Sequence, residues 1–314
     1  MKINHRAFTI VELLISMLVM SLVMAITYPP FIKLLTSTKV EASTAESHMD
    51  KITSLELMRL DLEHAFFGIG TNETNTPLIW DNTNKVLTIH STLNNSNSET
   101  LGWLIFDCDA NTTQLSSVVV EDQRSSSNTC MMILDDERKY EKLTRLSASC
   151  SGAGDPGCCP GKGIYMGMQV KNSTDLTCSS LRSTAISYKM STSSTPDYCA
   201  NHTSSMLRAV NSGSGDPLLN CVADFTVRFD LDTNGNGQID QAFTDTAPTS
   251  TSDILDRVKN IHVYMLAQIG KKDKNLHSQN DYSDGLVTLS AGSITDYEQY
   301  RWKLIRISGK PMNW

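Results

Sequence analysis

Three groups of residues in this 314-residue chain have types and spacings that do chemistry. The first is one carboxylate, Glu12, near the head of a run with no other charge from Ala7 to Ile32. An acid at a bilayer centre costs ~2.5 to 3.5 kcal/mol on insertion scales, less near an edge, so an acid kept in such a run points to a function and a partner. The second is the stretch DTNGNGQID, whose oxygen-bearing residues alternate as in an EF-hand-type calcium loop. With Asp232 as first ligand, Asn234 and Asn236 fall third and fifth, Gly237 at the turn, the Gln238 carbonyl seventh and Asp240 ninth. The twelfth position, normally a bidentate Glu, is Phe243, with Asp230 or Asp245 as substitute oxygen donors. Calcium affinity is therefore expected to be modest, with a Kd on the order of 10⁻⁴ to 10⁻³ M. The same residues also read as a hydrogen-bonded Asn-Gly hairpin turn, and both readings stand here. The third group is eight cysteines, Cys108, Cys130, Cys150, Cys158, Cys159, Cys178, Cys199 and Cys221. They lack the short CxxC pairs of a zinc site and sit in Ser/Thr/Asn/Gly-rich sequence, which favours disulfides in an oxidising compartment. Eight cysteines allow 105 pairings, so connectivity is open.

The elements that must carry these groups follow from hydropathy and periodicity. LLISMLVMSLVMAITY, residues 13–28, is apolar enough to enter a bilayer, and with its flanks reaches the ~20 residues that a spanning helix needs. Lys2 and Arg6 precede it, which keeps the amino end cytoplasmic and exports the rest. Ordinary signal-peptide cleavage is the competing reading, and AIT before Tyr28 is a poor site for it. Pro29 and Pro30 are expected to break or kink the helix, after which Ile52, Leu55, Met58, Leu62, Ala65 and Ile69 form one apolar stripe. Gly68 and Gly70 serve as stop signals. Residues 8–67 would then make about 60 residues of helix, roughly 90 Å long.

Past residue 70 the pattern changes to short apolar runs: KVLTIH, LGWLIF, SSVVVE, GIYMGMQV, VADFTVRFDL, IHVYMLAQI and YRWKLIRI. The expected fold is α+β, a long amino-terminal helical spine with a β-rich, disulfide-stapled head. The stretch from Thr112 to Ser214 reads as long loops held by the cysteines. A net charge of −7 and no basic cluster beyond Lys271, Lys272 and Lys274 argue against nucleic-acid binding. Nucleophile elbows, P-loops, GxGxxG and HExxH motifs are absent and the seven histidines are scattered, so catalysis is not expected.

RAFTIVELLISM resembles the class III signal of type IV prepilins and type II secretion pseudopilins. The resemblance implies that a prepilin peptidase cuts between Ala7 and Phe8 and methylates Phe8, with Ala7 standing where the family usually has Gly. Phe8 and Glu12, four apart on one helix, could pair internally, whereas the resemblance implies that Glu12 pairs with the freed α-amino group of a neighbouring subunit and that Pro29 is a helix-loosening residue. The division it suggests is a leader at 1–7, a transmembrane half at 8–32, an amphipathic half at 33–70 and a head at 71–314 with cysteine-rich loops over about 108–221. VADFTVRFDLDTNGNGQID, VKNIHVYMLAQIGKK and YRWKLIRISGK resemble the latter part of PilW-type minor pilins. That subtype implies a structural subunit that helps prime assembly at or near a pilus tip. Its partners would be other minor pilins, the major pilin and a tip adhesin, and its home the inner membrane and then the surface pilus. A GspJ-like pseudopilin and a membrane-anchored adhesive module are the alternatives.

Overall fold

The computed structural model describes residues 10–73, 75–93, 95, 103–108, 115–122, 129–146, 160–170, 184–193, 195–211 and 213–312. The chain divides into two compact units, Met1–Thr53 and Ser54–Trp314. One helix, α1 (Ile10–Glu63), runs from the first into the second. In the first unit its segment Ile10–Ile32 has mean hydropathy 2.4 over 23 residues, none of them buried. At ~1.5 Å per residue that is about 35 Å, enough for a hydrocarbon layer of ~30 Å. Ser16, Ser21 and Thr27 turn their hydroxyls back onto the carbonyls of Leu13, Leu18 and Val23, at 2.8, 2.8 and 2.9 Å. Hydroxyls satisfied within the helix can enter lipid cheaply. Of the break or kink expected at Pro29 and Pro30, the break does not occur: the helix continues through both. Two prolines remove two N–H donors there and leave the rest of the ladder in place.

In the second unit the described strands are, in chain order, β1 (Leu78–Asp81), β2 (Val86–Ser91), β3 (Trp103–Cys108), β4 (Leu115–Asp122), β5 (Thr129–Leu134), β6 (Tyr140–Leu146), β7 (Gly163–Val170) and β8 (Thr184–Ser191). Then come β9 (Ser204–Val210), β10 (Asp216–Leu231), β11 (Gln241–Thr244), α2 (Thr251–Arg257), β12 (Val258–Ile269), β13 (Asp281–Ser283), β14 (Thr288–Ser290) and β15 (Arg301–Gly309). The larger sheet has the order β1-β2-β8-β9-β10-β12-β15, with β11 paired to β10. A five-stranded sheet has the order β4-β3-β7-β5-β6, and β13 and β14 form a hairpin. All these pairings are antiparallel.

The two faces of the large sheet follow the alternation of side chains along each strand. Phe225, Val227, Phe229, Val263, Met265 and Ile307 pack with Met58, Leu62 and Phe66 from the end of α1. Tyr264, Leu266 and Trp302 point the other way and pack with Val287, Leu289 and Ile294. The expected stripe is thus buried from Met58 to Ile69, with Leu55 partly buried, while Ile52 is exposed. Approach is close at Gly309, where an added Cβ would stand 2.4 Å from the Leu62 Cβ.

Helix α1 closes at Glu63 rather than at residue 67, and its end is set by tertiary contacts. Phe66 takes a left-handed φ of 68° and donates its N–H to the His90 carbonyl of β2 at 3.0 Å. Arg138, from the turn between β5 and β6, donates Nε to the Ile69 carbonyl at 2.9 Å and Nη2 to that of Phe66 at 2.6 Å. Burial lowers its guanidinium pKa to about 10, with Asp256 acting in the opposite direction. Gly68 and Gly70 follow the helix and permit contact: added Cβ atoms would lie 2.6 Å from Thr92 Oγ1 and 2.8 Å from the Tyr140 N.

A buried ion pair locks the same region. Asp61, 1% exposed, accepts Arg208 Nε at 2.5 Å on one oxygen and Nη2 at 3.1 Å on the other. Tyr188 donates its hydroxyl to the first oxygen, and Asn95 Nδ2 reaches the second at 2.8 Å. Burial, with the Asp61 charge beside it, holds the Tyr188 phenol well above its usual pKa. Replacing Asp61 with Ala strands Arg208 without its counter-charge, so Asp61→Ala should cost ~3 to 5 kcal/mol. Glu56→Ala, on the exposed Glu56–Arg59–Glu63 triad, is the control and should change little. Urea unfolding of the full chain in detergent measures both, and equal, small losses would refute the structural role of the pair.

Candidate functional site

Of the residues expected at the amino-terminal site, Ala7 and Phe8 lie outside the described residues. Glu12 lies in the first turn of α1 as described, exposed among exposed apolar side chains such as Val11, Leu13 and Ile15. From Ile10 to Ile32 it is the sole charged residue. An acid in so apolar a segment needs a neutralising partner before lipid becomes a tolerable surrounding.

The 232–240 stretch connects β10 to β11, with Phe229 opposite Thr244 and Leu231 opposite Gln241, so the two strands pair across it as the hairpin reading expects. Asp232, buried at its base, accepts N–H bonds from Gly235, Asn236 and Gly237 at 2.8, 3.2 and 2.7 Å. Gly235 and Gly237 have φ of 74° and 83°, a region that glycine enters without penalty. Asn234 and Asn236 accept from the backbone two residues on, at 3.0 and 2.8 Å. Asp240 accepts both the N–H and hydroxyl of Thr233, at 2.8 to 3.2 Å.

These bonds bear on the calcium reading. Asp232, Asn234, Asn236 and Asp240 share one short loop, and a carboxylate has about four lone-pair sites, so the N–H bonds leave acceptor capacity. Against this, Lys259 Nζ stands 3.4 Å from Asp232 Oδ2, a cation already in the neighbourhood. Phe243 cannot ligate through its ring, and Asp230 is engaged elsewhere. Among the described residues no three His, Cys, Asp or Glu side chains cluster as a metal site. The loop therefore fits calcium in part, and holds its shape through its own hydrogen bonds.

Residues that sequence reasoning passed over lie beside this loop. On the outer face of the large sheet, His262 Nε2 is 2.8 Å from Asp230 Oδ2 and Nδ1 is 2.7 Å from Ser308 Oγ. The three side chains link β10, β12 and β15. A neutral ring that donates Nε2–H to the carboxylate accepts the Ser308 hydroxyl at Nδ1. Asn260 Nδ2 and the Phe243 N–H complete the Asp230 shell at 2.8 and 3.0 Å. The Phe243 ring stacks on His262 at 4.7 Å, and the Arg306 guanidinium lies 5.2 Å from that ring. This is a cross-strand polar ladder capped by an aromatic ring. Its signal, an Asp, a His and a Ser on three distant segments, has no local spacing to reveal it.

Cys199 and Cys221 form a disulfide, tying the turn before β9 to a bulged part of β10 where Cys221 has a φ of 59°. Cys108 is also disulfide-bonded. Cys150, Cys158, Cys159 and Cys178, and the side chain of Cys130, lie outside the described residues.

Residues 2–28 match the family described as the prokaryotic N-terminal methylation motif. The motif and the apolar helix that carries it support a type IV pilin or pseudopilin-like protein, anchored in a membrane and processed by a prepilin peptidase. That points to a structural protein assembling with pilus components. Nothing matches the chain among curated proteins or among solved structures.

Acid should weaken this part of the head. Burial presses the Asp230 pKa upward, but Asn260, His262 and the Phe243 N–H outweigh it and leave it lowered; the loop's N–H groups and Lys259 likewise leave Asp232 lowered. A carboxyl whose folded pKa lies below its unfolded value of ~3.9 binds fewer protons when folded, so its stabilisation is present above that value and lost as pH falls through the folded pKa. Melting of the full chain followed from about pH 6 to about pH 3 should show a falling Tm below about pH 4. Asp230→Asn should flatten that fall, and an unchanged slope would remove Asp230 from the account.

Proposed function

We propose that the chain is a minor pilin of the PilW type, a structural subunit that helps prime assembly and sits at or near the tip of a type IV pilus. The observation that carries this reading is Glu12, one acid in an otherwise uncharged apolar helix, inside a segment that matches the methylation motif. Removal of residues 1–7 would free an α-amino group of pKa ~8 at Phe8. That amine could pair with Glu12 four residues on in the same helix or with the Glu12 of a neighbour; the resemblance favours the neighbour, and only that pairing makes assembly electrostatically directed. The strand–loop–strand sequence from Val222 to Ile269 and the closing β15 support the PilW subtype by resemblance. A type II secretion pseudopilin shares the amino-terminal chemistry and differs in its partners.

Glu12→Ala and Glu12→Val should leave the protein inserted and processed, with Phe8 methylated in the mature amino-terminal mass, yet sharply reduce its incorporation into the filament and its co-purification with other minor pilins. Wild-type piliation and co-purification by either variant would refute the role of Glu12. A native chain that begins at Met1, or at Tyr28, would refute the reading itself.

Calcium in the 232–240 loop is a second proposal, supported by the ligand spacing of Asp232, Asn234, Asn236, the Gln238 carbonyl and Asp240 within one short loop. With Lys259 adjacent and no twelfth-position acid, the Kd should be on the order of 10⁻⁴ to 10⁻³ M. Calorimetric titration of the full chain in detergent should give saturable heat that Asp232→Asn abolishes. No heat and no shift in Tm at millimolar calcium would end the idea.

A further inference from the structure

We infer that the outer edge of β15 is a strand-addition site for an acidic, extended segment of another filament subunit. The inference rests on the pilin reading and names a partner surface within it. β15 ends the large sheet: it pairs with β12 over Ile261↔Gly309 to Ile269↔Arg301, and no described strand pairs with its other side. Among the described residues, no further backbone hydrogen bond reaches Arg301–Gly309. Nine residues of strand thus present a row of alternating N–H and C=O groups outward. The opposite edge strand, β1, has four residues.

The charge on this edge selects the partner. Arg301, Lys303, Arg306 and Lys310 are exposed along one ten-residue stretch that contains no acid, in a chain of net charge −7. Arg306 lies 4.0 Å from Asp284, while Arg301, Lys303 and Lys310 make no ion pair among the described residues. Cations along an edge repel basic strands and strands like itself, and they hinder indiscriminate pairing. They leave one kind of strand favoured, one whose acids fall opposite them, because opposite charges facing across an antiparallel pair attract and like charges repel. Such pairing takes its affinity from main-chain hydrogen bonds and its specificity from the flanking side chains. The strand behind the edge is already fixed: Trp302 packs inward with Tyr300 and Leu289, and Ser308 bonds His262. Docking therefore needs little reorganisation on this side.

The test compares amide hydrogen exchange of the full-length chain in two states, purified in detergent and within membrane complexes isolated from cells that build the filament. The amides of 301–309 that point away from β12 should slow at least about tenfold in the complex. The exposed double reversal Arg301→Glu/Lys303→Glu should be processed and folded normally, lose that protection and fall about tenfold in incorporation, with added salt weakening the wild type in the same direction. Unchanged exchange at 301–309 in a complex that retains the chain, or wild-type incorporation of the reversal variant, overturns the strand-addition site and leaves the pilin reading standing. Concentration-dependent protection in the purified chain would assign the edge to a second copy instead. Absence of the chain from any filament complex would overturn both.

Discussion

The head depends on how the end of α1 is seated, and that seating is fixed by one buried ion pair, Asp61 with Arg208. Apolar contacts from Met58, Leu62 and Phe66 supply the area, but such contacts are non-directional, and neighbouring rotations of the helix bury similar surface. A bidentate carboxylate–guanidinium pair has one geometry. Desolvating both ions is expensive, and a lone pair of this kind often does no better than a hydrophobic contact. Here Tyr188 and Asn95 take the remaining acceptor sites of Asp61, which moves the arrangement from costly to satisfied. Burial works against the charge on Arg208, yet the hydrogen bond and charge of Asp61 leave its pKa raised, so the guanidinium stays charged.

With the helix seated, the two faces of the large sheet diverge in character. The α1 side is filled by Phe225, Val227, Phe229, Val263 and Met265. The other side is divided: toward one end of β12 and β15 the residues from Val287 to Trp302 cover it with a second apolar cluster. Toward the other end it carries Asp230, His262, Ser308 and Arg306, capped by Phe243 from β11. The Asp/Gly-rich loop hangs from this polar end, since Asp232 follows β10 directly and its N–H donates to the Arg257 carbonyl just before β12. The loop, the ladder and the Ser308 end of β15 therefore belong to one polar corner of the sheet.

The sequence showed the elements whose signals are local and hid those made by long-range contact. The stripe from Leu55 to Ile69 and the runs GIYMGMQV and IHVYMLAQI correspond to the buried helix end, β7 and the body of β12. The stretch Thr112–Ser214, expected as long loops apart from the runs SSVVVE and GIYMGMQV, holds β5, β6, β8 and all of β9 besides β4 and β7, because Ser, Thr and Asn between apolar residues mimic linker composition. β8, TAISYKMS, alternates buried and half-buried residues, a period-2 pattern masked by its polar members. The end of α1 was misplaced for a related reason: glycines near a helix terminus suggest a stop, whereas the stop here comes from His90 and Arg138, distant in sequence. Of the site residues, Glu12 was legible because hydropathy isolates it, and the loop because its spacing is local. The Asp61–Arg208 and Asp230–His262–Ser308 groups are assembled by sheet topology and leave no spacing to read.

Two carboxylates in this chain face the same physical problem and meet it differently. Asp61 is surrounded by the core of the head, and its cation, Arg208, comes from β9 of the same chain. That solution is available because a folded head can bring residue 208 to residue 61 and hold it there. Glu12 stands on a helix whose neighbours in sequence are apolar for a full membrane span, with no other charged residue from Ile10 to Ile32. Under the pilin reading the partner is an amine created by processing and carried by another copy of the same kind of helix. The ion pair inside the head then defines one subunit, while the pair at its amino terminus defines the contact between subunits, and only the second can be made and unmade without unfolding anything.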